Sequence, residues 1–192
     1  MSLRFGTAGI PLSTSRPGTV HGVRRARELG LDCLEMSWGN GVRMSGATAD
    51  RIHEARLEDG LELAAHAPYY VNLCGAEDVV ERSMARLIEA GVQGGRCGAA
   101  SFCFHPGWYG GQTPSAARKR VAARLRQLTR ALRDRGASLD ARRHVPLLKS
   151  EFRWRDLLRA LHEVHASGWV ICETPAMEED ALRPQRFYRR IA

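Results

Sequence analysis

Residues 101–111, with the sequence SFCFHPGWYGG, indicate how this chain folds. A short apolar run ends on His105, and a loop rich in glycine follows it. The loop leads to Thr113-Pro114, which is typical of a helix N-cap followed by proline at the first helical position. A buried strand, a loop and a helix in this order form one βα unit.

Similar units recur along the chain. Strand-like runs lie at 3–6, 31–36, 61–66, 101–105 and 169–172, and six helical patterns accompany them. Continuously apolar strands that alternate with helices are typical of a parallel sheet with helices outside. The third helix is expected to end at Gly91, and the segment after Gly136 shows no clear strand.

The length limits the architecture. A complete eightfold barrel needs about 250 residues, and this chain has 192. We therefore predict an α/β fold with a TIM-type (β/α) barrel that is incomplete, and the alternative is an open sheet. No linker or low-complexity segment divides the sequence, so a single domain over residues 1–192 is expected.

The charge is strongly positive. Lys and Arg number 29 against 21 Asp and Glu, which gives a net charge of +8 and favours polyanionic partners. The alternative is an arginine-rich composition without that role, because Arg greatly outnumbers Lys. The helix at 114–136 carries eight basic residues, and we expect it to present a solvated face rather than a DNA-binding ridge.

The five cysteines form no CxxC pair, so reduced thiols in a cytoplasmic protein are expected rather than a disulfide framework. The apolar runs are too short to cross a bilayer, and the first residues do not resemble a secretion signal. We therefore expect a cytoplasmic chain without a membrane partner.

Polar side chains end four of the strands: Glu35, His66, His105 and Glu173. Because the carboxyl ends of parallel strands share one mouth, these groups are expected to converge there. A single histidine at such a place is more often a hydrogen-bonded structural group, but four polar strand ends are hard to obtain from packing alone. Imidazole with carboxylate suits Zn²⁺, Mn²⁺ or Fe²⁺, and such an ion polarises phosphoryl oxygens and acidifies bound water.

Aromatic residues follow two of these strand ends. Tyr69 and Tyr70 come after His66, and Trp108 and Tyr109 come after His105. Such side chains stack on bases or wedge into a duplex. The alternative, that they only fill the mouth of the barrel, is equally open.

The segments HAPYYVNL (66–73), FHPGWYGG (104–111) and VICETP (170–175) resemble the endonuclease IV family of apurinic/apyrimidinic endonucleases, within the xylose isomerase-like TIM barrels. The resemblance extends over essentially the whole chain. It implies a phosphodiesterase of DNA base-excision repair that uses three zinc ions and cuts DNA 5′ to abasic sites. DNA containing abasic sites is then the expected partner.

The resemblance also implies roles for individual residues. His66 and His105 match ligands of one zinc ion, Glu173 matches a carboxylate on a second, and His144 resembles a ligand of the third. Glu173 is expected to act catalytically by positioning that ion or the water. The residues expected to contact DNA are Tyr69 and Asn72 by their match to family positions, Arg43 by a looser match, and Trp108 and Tyr109 from the aromatic loop.

This chain departs from the family in length. The shortfall is expected as an internal deletion near 139–143, where the family has strands five to seven and several further metal ligands. A full trinuclear cluster is therefore not expected from this chain alone. For the open sheet edges three alternatives remain: a homodimer that pairs across them, closure as a smaller barrel, or a decayed or mis-predicted gene product. Two alternatives stay open: a non-catalytic remnant that binds DNA or metal, and a sugar-isomerase-like enzyme.

Overall fold

A computed structural model describes residues 3–137, 140–143, 154–173 and 177–192. The strands of these ranges are β1 (Leu3–Ala8), β2 (Cys33–Ser37), β3 (Glu62–His66), β4 (Ser101–Phe104), β5 (Asp140–Arg143) and β6 (Gly168–Cys172). The helices are α1 (Thr19–Glu28), α2 (Gly46–Asp59), α3 (Glu77–Arg96), α4 (Pro114–Arg133), α5 (Trp154–Glu163) and α6 (Met177–Ile191).

The six strands are hydrogen-bonded in the order β5-β4-β3-β2-β1-β6. The pairs β1–β2, β1–β6, β3–β4 and β4–β5 are parallel. Within the described residues β5 and β6 are the outermost strands, so this sheet has two ends and does not close as an eight-stranded barrel does. The prediction of an α/β, TIM-type but incomplete barrel is confirmed.

The strand β5 corrects the expectation that no strand follows Gly136. Residues 140–143 read DARR and pair in parallel with β4, from Ser101 opposite Asp140 to Phe104 opposite Arg143. The apolar pattern that predicted the other strands is absent from this sequence. Backbone hydrogen bonding to an existing strand, rather than a run of apolar side chains, defines β5.

Helix α3 is longer than expected. It continues through Gly91 to Arg96, so Gly91 is not its C-terminal cap. A Cβ atom at Gly91 would lie 2.5 Å from Leu132 Cδ2 on α4. Gly91 therefore permits the close approach of two helices. The start of α4 is as predicted, because Ala116 N–H donates to Thr113 Oγ1 at 3.3 Å and proline follows the cap.

The chain divides into two compact units. Unit 1 contains Met1–Met36, Glu54–Leu63 and Val145–Ala192, and unit 2 contains Ser37–His53 and Ala64–His144. In unit 1, Leu3, Phe5, Leu158, Phe187 and Tyr188 form a buried core cluster. In unit 2, bidentate ion pairs join α3 to α2 through Arg96 and Asp50, and α4 to α3 through Arg124 and Glu77. Among the described residues, no helix has both the length and the apolar character that crossing a membrane requires.

Candidate metal and nucleic-acid site

Two histidines meet at the ends of β3 and β4 in unit 2. His66 pairs with Cys103 in the parallel register, and His105 follows two residues after Cys103. Because side chains two residues apart lie on the same face of a strand, both imidazoles lie on one side of the sheet. Their ring centroids are 5.1 Å apart. The predicted convergence of His66 and His105 is therefore observed within this unit.

A backbone hydrogen bond fixes the tautomer of His66. The side chain is buried, and Nδ1 lies 2.8 Å from the carbonyl oxygen of Ala67. A carbonyl oxygen accepts only, so Nδ1 carries the proton. In the neutral imidazole Nε2 then carries the lone pair. A second hydrogen bond, from Ala67 N–H to the carbonyl oxygen of Cys103 at 2.9 Å, holds this peptide against β4. Metal-binding histidines are oriented by hydrogen bonds of this kind.

Tyr69 completes a cluster of three rings. Its ring stacks on His105 with centroids 5.8 Å apart and an interplanar angle of 19°, and it lies 5.6 Å from the ring of His66. The Tyr69 N–H donates to the carbonyl oxygen of Gly39 at 3.1 Å. Tyr69 is nevertheless 56% exposed. The cluster therefore joins a buried imidazole to an aromatic surface that a ligand can reach.

The two loops that carry these rings are joined directly. Leu73 N–H donates to the carbonyl oxygen of Pro106 at 2.9 Å. Asn72 is buried, and its Oδ1 accepts from Cys74 N–H at 2.9 Å. Gly107, at a φ of 101°, approaches so closely that a Cβ atom there would lie 2.5 Å from Asn72 Oδ1. Asn72 thus shapes the loop, and its predicted contact with DNA stays a prediction.

The other predicted DNA contacts are exposed. Trp108, Tyr109 and Tyr69 are each more than half exposed, and Arg43 is exposed in the loop between β2 and α2. Trp108 lines a groove of about 720 Å³ together with Asn72 and Arg120. Arg120 belongs to the basic helix at 114–136, whose charged face is expected to be solvated. Its place beside Trp108 could have been inferred only from how α4 follows the glycine-rich loop.

Two glutamates of unit 1 differ in their place on the strands. Glu173 directly follows β6, as predicted, but Glu35 lies within β2, which continues to Ser37, so the expectation that Glu35 ends its strand is wrong. Ala8 of β1 pairs with Glu35, and Thr7 pairs with Cys172, the residue before Glu173. Glu35 is buried, and its Oε1 has no hydrogen-bond partner among the described residues. Burial, and then the negative charge of Glu173, raise the pKa of the Glu35 carboxyl from 4.5 to about 7. A carboxyl with this pKa exchanges its proton near neutral pH.

The Glu35 carboxyl makes the stability dependent on pH. In the folded state it keeps its proton up to about pH 7, whereas in the unfolded chain it loses it near 4.5. The folded state therefore binds more protons between these values, and the free energy of unfolding falls as the pH rises through this window. In Glu35→Gln the decrease in the free energy of unfolding across this pH window should be smaller than in the parent, by on the order of 2 kcal/mol.

Urea unfolding at pH 5 and pH 8 in the presence of a chelator measures this difference. Glu81→Gln, which removes an exposed carboxylate from α3, is the matched control and should leave the dependence as it is in the parent. An unchanged dependence in Glu35→Gln would show that Glu35 titrates alike in both states.

The fit of a metal ion depends on which ligand side chains come together near His66 and His105. Two imidazoles, one with its tautomer fixed, match the nitrogen ligands that zinc binds. Among the described residues, however, no three His, Cys, Asp or Glu side chains come together in a way that could hold a metal ion. His144, the predicted third-site ligand, lies outside the described residues. The described residues therefore show no metal site, and the assignments of His66, His105 and Glu173 as ligands stay predictions.

The five cysteines all belong to the described ranges and form no disulfide. Burial raises the pKa of the Cys97 and Cys172 thiols to about 11 and raises that of Cys33 as well. These thiols are therefore protonated at neutral pH and are weak candidates for metal ligands or nucleophiles.

Comparison with known proteins places this geometry in a family. A family model described as a xylose isomerase-like TIM barrel matches residues 23–140. The chain therefore belongs to the xylose isomerase-like TIM barrel family. The barrels similar to it include endonuclease IV and sugar epimerases, so the family membership does not define one activity.

One relative shares most of its length with this chain. An uncharacterised protein of Methanocaldococcus jannaschii is 25% identical over 272 aligned residues, covering 98% of each chain. This chain has only 192 residues, so the relative contains segments that this chain lacks. The internal deletion near 139–143 stays a prediction.

Solved structures show the same fold at low identity. A D-tagatose 3-epimerase-like protein superposes with a TM-score of 0.73 at 12% identity, over 98% of this chain and 97% of that one. Endonuclease IV from Thermus thermophilus gives a TM-score of 0.57 at 21% identity, over 97% and 71%. A second protein from Thermus thermophilus, solved after soaking with zinc chloride, gives 0.53 at 23% identity, over 89% and 66%.

Proposed function

We propose that this chain acts on DNA as a metal-dependent phosphodiesterase of the endonuclease IV kind, cutting 5′ to abasic sites. The observation that carries the proposal is the ring cluster of His66, His105 and Tyr69, in which a buried, oriented imidazole adjoins an exposed aromatic surface. The similarity to endonuclease IV supports the fold, and the matching segments around the two histidines support the chemistry.

The residues of this chain divide into two roles. His66 and His105 would hold one zinc ion. Glu173 is proposed as the ligand of a second ion and as the catalytic carboxylate, and His144 is proposed as a ligand of a third. When bound, zinc polarises the phosphodiester and lowers the pKa of water at its surface. The aromatic and polar loop residues hold the DNA: Tyr69, Trp108, Tyr109, Asn72 and Arg43.

The aromatic side chains suit a damaged duplex in particular. An abasic site lacks one base from the stack, and extruding such a nucleotide costs less than extruding a paired base. An exposed tyrosine or tryptophan can stack in the space that the missing base leaves. Arg120 lines the same groove as Trp108, and its guanidinium supplies a positive charge for a neighbouring phosphate.

The proposal is tested with purified protein, zinc chloride and a labelled duplex that contains one tetrahydrofuran abasic analogue. Cleavage 5′ to the analogue, lost on adding a chelator, is the expected result, and an intact duplex is the matched control. The molar mass of the protein under the same conditions tests the proposed homodimer. Metal-independent binding without cleavage would overturn the enzymatic proposal and select the DNA-binding remnant.

A second candidate is epimerisation or isomerisation of a small sugar. The observation that favours it is Glu35, whose pKa near 7 suits a carboxylate that removes a proton beside a carbonyl group. Several structural neighbours are sugar epimerases. The same purified protein is assayed with D-tagatose and D-psicose. Turnover of either sugar, with no affinity for DNA, would replace the first proposal by this one.

A further inference from the structure

An arginine-lined pocket lies in unit 1, among residues to which the proposed function gives no role. Its volume is about 540 Å³. The residues that line it are Trp154 and Arg155 of α5, and Arg183, Arg186, Arg189 and Arg190 of α6. Five guanidinium groups therefore surround one pocket on two adjoining helices.

The aromatic packing between α5 and α6 fixes this arrangement. The Trp154 ring meets the edge of the Phe187 ring with centroids 5.5 Å apart, and Phe187 belongs to the buried core cluster. The guanidinium of Arg155 lies over the Trp154 ring at 4.6 Å, and that of Arg159 lies over Phe187 at 5.2 Å. The pocket therefore rests on core residues and is not a chance groove between mobile side chains.

Carboxylates neutralise only part of this charge. Arg183 pairs with Asp180 at 3.4 Å, and Arg189 pairs with Asp32 at 3.4 Å. Among the side chains that the structure describes, which do not include that of Asp156, no carboxylate lies within ion-pair distance of Arg155, Arg186 or Arg190. Three like charges around one pocket repel one another, and an anion placed among them would offset that repulsion.

The buried acid on the same helix does not compensate these charges. Both carboxylate oxygens of Glu178 accept hydrogen bonds from the loop after β1, from Leu12 N–H at 2.9 Å and from Ser13 N–H at 2.8 Å. Glu178 is therefore engaged by the backbone. Its two oxygens are thus directed to that loop and, among the described residues, form no ion pair with the arginines of the pocket.

We infer that this arginine pocket binds phosphate groups of a nucleic-acid backbone. Arginine presents a planar set of donors that matches phosphate oxygens, and several arginines on one surface match successive phosphates. The net charge of +8 favours the same partner. The inference does not depend on the histidine cluster, because binding to the pocket needs neither metal nor cleavage.

The double variant Arg186→Ala/Arg190→Ala tests the inference. Its binding to a fluorescent intact duplex is followed by anisotropy at several salt concentrations with a chelator present. We expect affinity to fall at least about tenfold near 0.1 M salt and the slope of log K against log salt to fall by about two, since each phosphate contact contributes about 0.9. Both side chains are exposed, so the fold should be retained, and circular dichroism verifies this.

The matched control is Arg27→Ala/Arg51→Ala, which removes the same charge from exposed positions on α1 and α2. Retention of affinity and slope in the control supports a specific pocket. Equal losses in both variants would show only diffuse charge attraction and overturn the inference. Inorganic phosphate distinguishes a site for free phosphate from a site for the phosphates of a nucleic-acid backbone. If inorganic phosphate binds in an Arg186-dependent way while duplex binding is unchanged in the double variant, the nucleic-acid assignment is wrong.

Discussion

Replacing His66 by alanine is expected to abolish zinc binding by this chain and to lower cleavage of abasic DNA by more than about 100-fold. His66 is buried with Nδ1–H donated to Ala67, so in the neutral imidazole Nε2 carries the lone pair that a metal ion would use. Losing a group that merely orients a metal ligand costs 10- to 100-fold, and losing the ligand itself should cost more. Zinc stoichiometry by equilibrium dialysis and single-turnover cleavage measure the two effects separately.

Two further variants distinguish the loss of a zinc ligand from a failure of the protein to fold. His105→Ala removes the partner imidazole from a half-buried position and should give the same two losses. His21→Ala removes an imidazole from α1 and should leave zinc binding and cleavage unaltered. Unchanged zinc content and cleavage in His66→Ala, with the circular dichroism spectrum of the parent, would remove His66 from the ligand set.

Gly107→Ala should be the most damaging of the loop substitutions. Gly107 has a φ of 101°, and a methyl group there would lie 2.5 Å from Asn72 Oδ1 and 2.7 Å from Asn72 Cα. The backbone conformation alone costs on the order of 1–2 kcal/mol for alanine, and separating the two loops adds about as much again. We expect the free energy of unfolding to fall by about 3 kcal/mol in urea titrations.

The same substitution should weaken the histidine pair, because the contact with Asn72 joins the loop after His105 to the loop after His66. Gly111→Ala provides the control. It has a φ of 77°, but its Cβ would meet nothing within 4 Å, so it should cost about 1 kcal/mol and leave zinc binding unaltered. Equal losses in the two variants would show that the contact with Asn72 contributes nothing.

Much of the fold could be predicted from the sequence, because its signals are local. Apolar runs followed by glycine-rich turns predicted β1 to β4 and β6, and Thr113-Pro114 predicted the start of α4. The strand-end positions of His66 and His105 predicted their convergence, because parallel register brings the carboxyl ends of adjacent strands together.

The features that the sequence did not reveal depend on contacts between distant segments. The pairing of residues 140–143 with β4 defines β5, although three of its four residues are charged. Gly91 was expected to end α3, but its contact with Leu132 shows that it serves helix packing. Asn72 was expected to contact DNA, and its hydrogen bond to Cys74 shows a part in the loop itself. The arginine pocket depends on the packing of Trp154 on Phe187, because this contact brings the arginines of α5 and α6 together.

The pairing of β1 with β6 has a consequence for synthesis of the protein. Leu3 lies opposite Gly168, and Thr7 opposite Cys172, so β1 is paired on this side by a strand that comes much later in the chain. Until residue 172 has left the ribosome, one side of β1 exposes unpaired backbone donors and acceptors. A growing chain in this state is prone to associate with its neighbours on the same message.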